Sequence, residues 1–515
     1  MSFKKFMVAN RTILAISLAG VLVVTGVVLA IVLTRVPRSS ILRIANWDYF
    51  MDRELVAEFQ ESWREITGDR RFRVRYTLFD SNEELYRMMD RNRADFDLVV
   101  PSEYMVEKMI GENLLKPLDM ARLPELTQVI PTAVGPTRVF DETIIDPYIT
   151  NAILNVTGGV NYAIPYAYGT LGIVYDTSVA GLGDFIRANG WRSLFVQNED
   201  WFASPTTEQN SWRQSVKNIG RDTYTIALLA YYQDQLEAYI AMDNATGIAG
   251  HTALMNRIFA GVKHTTGANQ GQFNTEEMAS MRNTARDVLM TLPRDVMFEG
   301  PDQLLNDIYR FAGTAANNSS RRAVFGFEWS VSAVFAKYMN EAESVGFYVP
   351  QMGTNLWINS LVIPRRAQNL DAAYAFINFI KSREIAATNA FTHCGATPIM
   401  GAAADIMEML VDTITFPTTA PVTHYSTRTW LEAQRDIYLE GTSTMTAAAI
   451  NAEIDGFISW QAMLIASFPR SFGTLEGGAS GNFNLGGIFR YFSDGLDVEV
   501  DMMLNGVRTA TRPAR

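Results

Sequence analysis

Two short groups of residues place aromatic rings beside carboxylates, each at the end of a predicted strand. The groups are Trp47, Asp48, Tyr49 and Phe50, and Ser102, Glu103 and Tyr104. The face of an aromatic ring attracts a cation, and a carboxylate balances the charge of a cation that is taken out of water. These residue types at this spacing therefore suit the binding of a small cation.

The elements that would position these two groups form a β-α-β-α-β pattern. Residues 41–47 (ILRIANW) alternate as a strand, and Leu55, Phe59 and Ile66 then recur at helical spacing. A second strand, a capped helix and a short apolar run within residues 95–102 follow. Because such crossovers produce a parallel sheet whose ligands gather at the carboxyl ends of the strands, both groups are expected at one edge of an α/β sheet.

Composition excludes several classes of protein. The chain has 515 residues, of which 48% are hydrophobic and 19% charged, which indicates a folded protein with two or more lobes. The single cysteine, Cys394, excludes an internal disulfide and a cysteine-based zinc or iron–sulfur site, and the four histidines lack metal-site spacing. Since no GxSxG, P-loop, HExxH or dinucleotide motif occurs, the sequence predicts neither an enzyme nor a protein with a cofactor or metal ion.

The N-terminal segment predicts a membrane anchor. Residues 12–34 carry no charge, and a helix of that length is about 34 Å long, enough to cross the apolar core of a bilayer. The run has no small-x-small cleavage site, and Lys4, Lys5 and Arg11 precede it, which favours an uncleaved single-pass anchor in the cytoplasmic membrane with the body on the extracytoplasmic side. Residues 1–38 carry five Lys or Arg and no Asp or Glu, so the rest of the chain has a formal net charge of −16, which favours cationic ligands over nucleic acid.

The pattern starts afresh near residue 170, where a second lobe is predicted. A long helix is predicted at residues 221–239, and residues 240–275, rich in Gly, Asn and Thr, are predicted to form an insertion outside the core. Later apolar segments predict three strands and one helix, at residues 323–329, 344–350, 359–364 and 372–382. Residues 471–487 contain six glycines and predict a loop or a flexible connection between C-terminal helices.

Nine short segments of the chain occur in the same order as similar segments of one known protein family. They are ANWDYF (45–50), DSNEELYRMM (80–89), DFDLVVPSEYMVEKM (95–109), IPYAYGTLGIVYD (164–176), GRDTYTIALL (220–229), FGFEWSVSAV (325–334), LWINSLVIP (356–364), AAYAFINFIKS (372–382) and GATPIM (395–400). Together they cover most of residues 41–400 and resemble the bacterial spermidine/putrescine-binding proteins, the solute receptors of polyamine ABC transporters.

The resemblance implies a two-lobed α/β fold of the periplasmic-binding-protein type II class, in which crossing strands join the lobes and a ligand binds in the cleft between them. Together with the residue patterns it divides the chain into a cytoplasmic stub with the anchor (1–38), lobe 1 (41–168), lobe 2 with the insertion (169–355), a return to lobe 1 (356–400), C-terminal helices of lobe 2 (401–470) and a Gly-rich, then helical extension (471–515). The protein anchor is a departure from the family, whose usual tether is a lipid-bearing cysteine or none. It also implies that the protein binds a polyamine and delivers it to an ABC permease. A monomer is expected.

The resemblance further implies which residues contact the ligand. They are Trp47, Asp48, Tyr49, Ser102, Tyr104, Asp222, Trp329, Trp357 and Asn359. Ile219 and Asn359 stand where the family has acids, and Gly395 stands where it has a tyrosine. The acid that the family places at the position of Tyr49 is shifted here to Asp48.

Several of these residues have an ordinary structural alternative. Asp48 and Ser102 could cap the helices that follow them, and Asp222 could be an acid that stabilises a helix start. Trp329 and Trp357 lie in or after apolar runs and, judged from the residues alone, would pack in a core. For the two tryptophans the resemblance favours the ligand role.

The acids set the expected ligand. Because this chain has fewer acids at these positions than the family, fewer ammonium groups of a ligand can be paired with a carboxylate. We therefore expect a putrescine-like ligand with one or two charged ends, held by Asp222 and by Asp48 or Glu328. Glu103 and Glu328 lie beside motif positions and are expected to be solvated, as reserve acids. Two alternatives stay open: a receptor for another small cationic or polar solute, and a sensory or scaffold domain that kept the fold without serving transport.

Overall fold

The computed structural model describes most of residues 37–402 and a few residues near the C-terminus. The described ranges are 37–48, 50–90, 95–132, 135–202, 212–242, 244–264, 266, 270, 272–292, 297–299, 323–333, 345–393, 395–402, 405, 486–487, 499–500, 502–505 and 507. The predicted anchor at residues 12–34 and nearly all of the predicted regions 401–470 and 471–515 lie outside these ranges. Among the helices that are described, none is both long and apolar enough to cross a membrane.

Three parallel strands form the outer part of the first lobe. They are β1 (Ile41–Trp47), β2 (Arg73–Phe79) and β3 (Leu98–Val99), with β1 in the middle, and they are connected by α1 (Arg53–Thr67) and α2 (Asn82–Asp90). The helix α1 begins at Asp52, whose carboxylate accepts a hydrogen bond from the backbone N of Glu54 (2.8 Å), and ends at Gly68 in the left-handed conformation (φ 71°). The predicted β-α-β-α-β unit is confirmed, and β1 spans the predicted residues.

Two long strands with every residue buried run from one lobe into the other. They are β6 (Ala163–Asp176) and β11 (Thr354–Val362), which pair antiparallel. The second half of β6 continues beyond β11 and pairs with strands of the second lobe. The strands that pair with it are β9 (Phe325–Trp329) and β10 (Val345–Tyr348). β7 (Gln214–Lys217) pairs with β9, and β8 (Met297–Glu299) pairs with β7. The sheet order β2-β1-β3-β11-β6-β9-β7-β8 therefore joins two lobes through crossing strands, as the resemblance implies.

The remaining elements build on this sheet. The first lobe contains α3 (Glu103–Gly111), α4 (Pro147–Val156), α10 (Leu370–Ile380), α11 (Arg383–Thr392) and a hairpin of β4 (Thr127–Thr132) and β5 (Gly135–Phe140). The second lobe contains α5 (Leu182–Asn189), α6 (Gly220–Tyr231), α7 (Gln233–Met242), α8 (Ala245–Ala260) and α9 (Thr275–Leu289). Each lobe has a large apolar core of its own, around Phe376 in the first lobe and around Trp191 and Tyr224 in the second.

The structure corrects two expectations about the second lobe. The helix predicted at residues 221–239 is broken at Tyr232, where the backbone leaves the helical conformation (ψ 9°), so that α6 and α7 are separate helices. Residues 240–275 are not an insertion outside the core, because α8 buries Ile258 and Phe259 completely in the core of the second lobe. The polar composition of this segment hid an amphipathic helix.

A two-residue strand corrects the loop prediction at one point. Gly486 and Gly487, at the end of the Gly-rich segment, form β12 and pair parallel with Thr354 and Asn355 of β11. This part of the C-terminal extension is therefore bound to the crossing strand.

Candidate ligand-binding site

The structure brings most of the predicted ligand residues together where the sheet passes from the first lobe to the second. The ends of β1 and β9, the loop between β3 and α3, the first turns of α3 and α6, and the middle of β11 supply them. Tyr49 lies outside the described residues. The others divide into a polar group, a charged group and an aromatic group.

The polar group joins α2, the start of α3 and β11 by side-chain hydrogen bonds. Ser102 Oγ donates to Asn359 Oδ1 (2.8 Å), and Asn82 Nδ2 donates to Ser102 Oγ and to Tyr104 OH (3.0 Å each). Tyr104 OH donates to Glu83 Oε1 (3.1 Å). Ser102 makes no side-chain bond to the start of α3, so the capping alternative for Ser102 is wrong. The sequence did not identify Asn82 as part of the site, although it lies in one of the nine segments.

The charged group begins with Glu103, which is completely buried next to β11. Glu103 Oε2 accepts a hydrogen bond from the backbone N of Ile358 (2.9 Å), whereas Oε1 has no hydrogen-bond partner among the described residues. Burial raises the pKa of Glu103 to about 7, against the opposing effects of backbone hydrogen bonds and of Arg221. The prediction that Glu103 is solvated is wrong, because β11 covers the start of α3.

Asp222 lies in the first turn of α6 and is buried. Burial raises the pKa of Asp222 to about 6, while Lys217, Arg221 and a hydrogen bond from the Trp329 side chain act in the opposite direction. Within the described part of the chain, Asp222 Oδ2 has no hydrogen-bond partner. Because a buried carboxylate oxygen without a partner is costly, Asp222 is suited to a cationic group of a ligand.

A buried ion pair lies beside Asp222. Lys217, at the end of β7, pairs with Glu328 of β9, and the two side chains are only 4% and 1% exposed. Lys217 Nζ also lies 3.6 Å from the centroid of the Trp329 ring. The prediction that Glu328 is solvated is wrong, because Lys217 compensates its charge inside the protein. The sequence did not identify Lys217 as part of the site.

The aromatic group is centred on Trp357, which packs across β6. A Cβ atom at Gly169 would overlap both the Trp357 ring and Ser330 Oγ, so glycine permits the close approach of the indole to the backbone. Phe50 meets Trp357 edge-on, with the ring centroids 6.1 Å apart. Trp357 Nε1 is buried, and none of the described residues accepts a hydrogen bond from it. It is therefore a donor suited to a ligand.

The His393 ring lies beside Gly395, the position for which the resemblance implies a tyrosine in the family. A Cβ atom at Gly395 would overlap the His393 ring, and that ring stacks on Phe50 with a centroid separation of 5.3 Å. The space beside Gly395 is thus filled by the chain itself.

Trp47 is the last residue of β1, and Asp48 follows it. The Trp47 ring packs on Phe79 with a centroid separation of 4.7 Å, in the same apolar cluster as Tyr104. Asp48 is exposed. Since Asp52 provides the side-chain cap of α1, the capping alternative for Asp48 is wrong.

Contacts of Arg221 and Trp329 connect the three groups. Arg221 Cζ lies 4.1 Å from the centroid of the Tyr104 ring, and the Arg221 charge acts on both buried acids. Trp329 packs against the cores of both lobes, and the core of the first lobe contains Trp357. These contacts link the polar, charged and aromatic groups where β6 and β11 pass between the lobes, and Trp47 shares an apolar cluster with Tyr104.

Comparison with known proteins decides the family. A family model described as bacterial extracellular solute-binding protein matches residues 54–418. The chain belongs to this family. The match contains the polar, charged and aromatic groups of the site except Phe50, and it begins after Trp47 and Asp48.

Individual solute-binding proteins are distant from this chain in sequence. The chain is 24% identical over 369 residues to the putrescine-binding periplasmic protein PotF of Escherichia coli, covering 71% of this chain and 80% of the relative. It is 22% identical over 325 residues to spermidine/putrescine-binding periplasmic protein 1 of Haemophilus influenzae, covering 62% and 67%. The structure of a putative spermidine/putrescine ABC transporter from Listeria monocytogenes matches with a TM-score of 0.52 and 20% identity, covering 91% of this chain and 99% of the other. This match supports the two-lobed periplasmic-binding-protein-like fold.

Proposed function

We propose that this solute-binding protein is the extracytoplasmic receptor of an ABC transporter and binds a putrescine-like amine between its lobes. The observation that carries the proposal is the pair of buried acids, Glu103 and Asp222, each with one oxygen that no described residue hydrogen-bonds. The rings of Tyr104 and Trp329 lie in the same site. The names of the similar proteins, putrescine-binding and spermidine/putrescine-binding, agree with this chemistry.

The ligand chemistry follows from desolvation. An ammonium group that enters a closed cleft loses its water and needs carboxylates or an aromatic face in exchange. The buried acids provide this charge, and Asp48 at the exposed edge would meet a second charged end. The proposed ligand contacts are Trp47, Asp48, Tyr49, Ser102, Tyr104, Asp222, Trp329, Trp357 and Asn359. The proposal also includes Glu103, because it is buried beside β11.

The proposed mechanism is lobe closure and involves no chemical reaction. Glu103 belongs to the first lobe and Asp222 to the second, and within the described ranges the crossing strands β6 and β11 run between the lobes. An amine that contacts both acids stabilises the closed arrangement relative to the open one, because it interacts with both lobes only when they are closed. The closed, loaded form is the one that would dock on the permease.

We further propose that the receptor is a monomer anchored in the cytoplasmic membrane by residues 12–34. The length of this uncharged run supports the anchor. Mass spectrometry of the membrane fraction should recover peptides that continue through residues 30–45. A mature N-terminus within that range would overturn the anchor.

A second candidate is a receptor for another small cationic or polar solute. Lys217 and Arg221 favour it, because they compensate part of the negative charge inside the site. Such a ligand would use the same buried acids with fewer ammonium groups.

Thermal-shift measurements on the full-length protein test the amine proposal. Putrescine should raise the melting temperature in proportion to the logarithm of its concentration above Kd, whereas glucose and glutamate should leave it unchanged. The variant Asp222→Asn should lose most of the putrescine response. A response to the sugar or to the anionic amino acid, with none to putrescine or spermidine, would overturn the proposal.

A further inference from the structure

We propose that Lys217 acts as a built-in ammonium group that occupies one cation position of the ligand site, so that the cleft buries a single ammonium group of its ligand. The inference rests on the proposed function of the cleft as an amine site and specifies the charge of its ligand.

The surroundings of Lys217 are those of a bound amine. Its Nζ lies 3.6 Å from the Trp329 ring centroid and forms an ion pair with Glu328. An aromatic face together with a carboxylate is the environment in which proteins bind organic ammonium groups. The side chain of lysine also has the chemistry of half a polyamine, a flexible four-carbon stem that ends in an ammonium group. Lys217 therefore fills a position that an external amine would otherwise take.

The charges of the buried site leave room for one more cation. Lys217 compensates Glu328, and Arg221 acts on both Glu103 and Asp222. With these three carboxylates and two cations ionised, one negative charge remains. A single ammonium group balances it, whereas a second buried ammonium group would have no carboxylate of its own.

The remaining position lies between the two lobes. Glu103 Oε1 and Asp222 Oδ2 are buried and lack hydrogen-bond partners in the described ranges, and the Asp222 charge acts on Glu103, so the two acids are close enough to interact. In this proposal one ammonium group binds between them. In this proposal the other end of the ligand extends to solvent, where the exposed Asp48 would meet it. A ligand with one cationic end and a neutral or solvent-exposed second end fits this arrangement, and spermidine fits it poorly.

Calorimetric titration of the full-length protein with butylamine, putrescine and spermidine at constant ionic strength tests the inference. Butylamine and putrescine should bind the wild-type protein within about fivefold of each other, because an ion pair at an exposed edge contributes little. Spermidine should bind no more tightly than putrescine. This ranking needs no variant, so it decides the question even where a substitution disturbs folding.

Two variants separate the ammonium group of Lys217 from its other effects. Lys217→Met keeps most of the apolar stem and leaves Glu328 for the ligand, so the affinity for spermidine relative to butylamine should rise at least about tenfold. The double variant Lys217→Met with Glu328→Gln removes the same ammonium group but provides no acid. It is the matched control and should show no such rise.

The outcomes distinguish the inference from the proposed function. If spermidine binds the wild-type protein more than about tenfold more tightly than butylamine, or if Lys217→Met leaves the ratio unchanged, Lys217 does not replace a ligand amine and the inference fails. The receptor proposal then stands. If none of the three amines binds, the proposed function itself fails.

Discussion

Replacing Asp222 by asparagine should weaken putrescine binding strongly at alkaline pH and less at acidic pH. Asparagine keeps the shape of the side chain and an oxygen for the hydrogen bond from Trp329, but it removes the charge. Asp222 is buried, and its Oδ2 atom has no hydrogen-bond partner among the residues that the structure describes. Loss of a buried charged partner costs about 2–5 kcal/mol, which is roughly a 30-fold or larger increase in Kd.

The raised pKa of Asp222 determines how this loss depends on pH. With a pKa of about 6, Asp222 is ionised at about pH 8, and only about a tenth of it is ionised at about pH 5. The affinity of the wild-type protein should therefore fall about tenfold over this range through Asp222 alone, because the amine stays protonated throughout. Protonation of Glu103, whose pKa is raised to about 7, also weakens binding as the pH falls, and it does so in the wild-type protein and in Asp222→Asn alike. The Kd of the variant divided by the Kd of the wild-type protein should thus shrink about tenfold from about pH 8 to about pH 5.

Isothermal titration calorimetry on the full-length protein measures both effects. The control Asp287→Asn changes an exposed acid of α9 that pairs with Arg286, and it should bind putrescine like the wild-type protein. The stability of the protein without ligand should depend on pH in the opposite direction. Because the pKa of Asp222 is raised in the folded state, its contribution to stability is present at low pH and lost as the pH rises through about 6. The variant Asp222→Asn should therefore gain stability relative to the wild-type protein as the pH rises to about 8. Equal affinities of wild type and Asp222→Asn at about pH 8, within about twofold, would refute the role of Asp222 as the ligand acid.

Two further substitutions probe the aromatic group and the buried charge outside the cleft. Gly169→Ala should weaken amine binding and shift tryptophan fluorescence, because the new Cβ overlaps the Trp357 ring. The control Gly111→Ala should change neither, because a Cβ there meets nothing within 4 Å. An unaltered Kd for Gly169→Ala would show that Trp357 does not contact the ligand. Lys381→Met should raise the free energy of unfolding, because burial lowers the pKa of Lys381 to about 7. Between about pH 7 and about pH 9 the lysine is protonated in the unfolded chain but largely neutral in the folded protein. The free energy of unfolding of the wild-type protein should therefore fall, relative to that of the variant, by up to about 1.4 kcal/mol for each pH unit from about 9 down to about 7. Urea denaturation at several pH values measures this, with the exposed Lys263→Met as control; a pH-independent difference between wild type and Lys381→Met would contradict the assignment.

The sequence by itself determined the elements that follow local rules. Alternation of apolar residues and helical spacing act over a few neighbouring residues, and for this reason β1 spans its predicted residues and α1 follows it as predicted. The same local patterns place Trp47 and Tyr104 next to strand ends, and the order of nine segments was enough to indicate the family. Local composition misled at α8, where a polar sequence concealed a helix with buried residues, and at Tyr232, where the predicted helix is broken.

Only the tertiary structure decided which charges are buried and what compensates them. Glu103 and Glu328 have ordinary acidic sequence surroundings, and both were expected in solvent. The fold covers Glu103 with the backbone of Ile358 and places Lys217 against Glu328, because strands that are distant in the chain become neighbours in one sheet. The interaction between two charges depends on their distance in space and on the water between them, and periodicity along the chain carries no information about either.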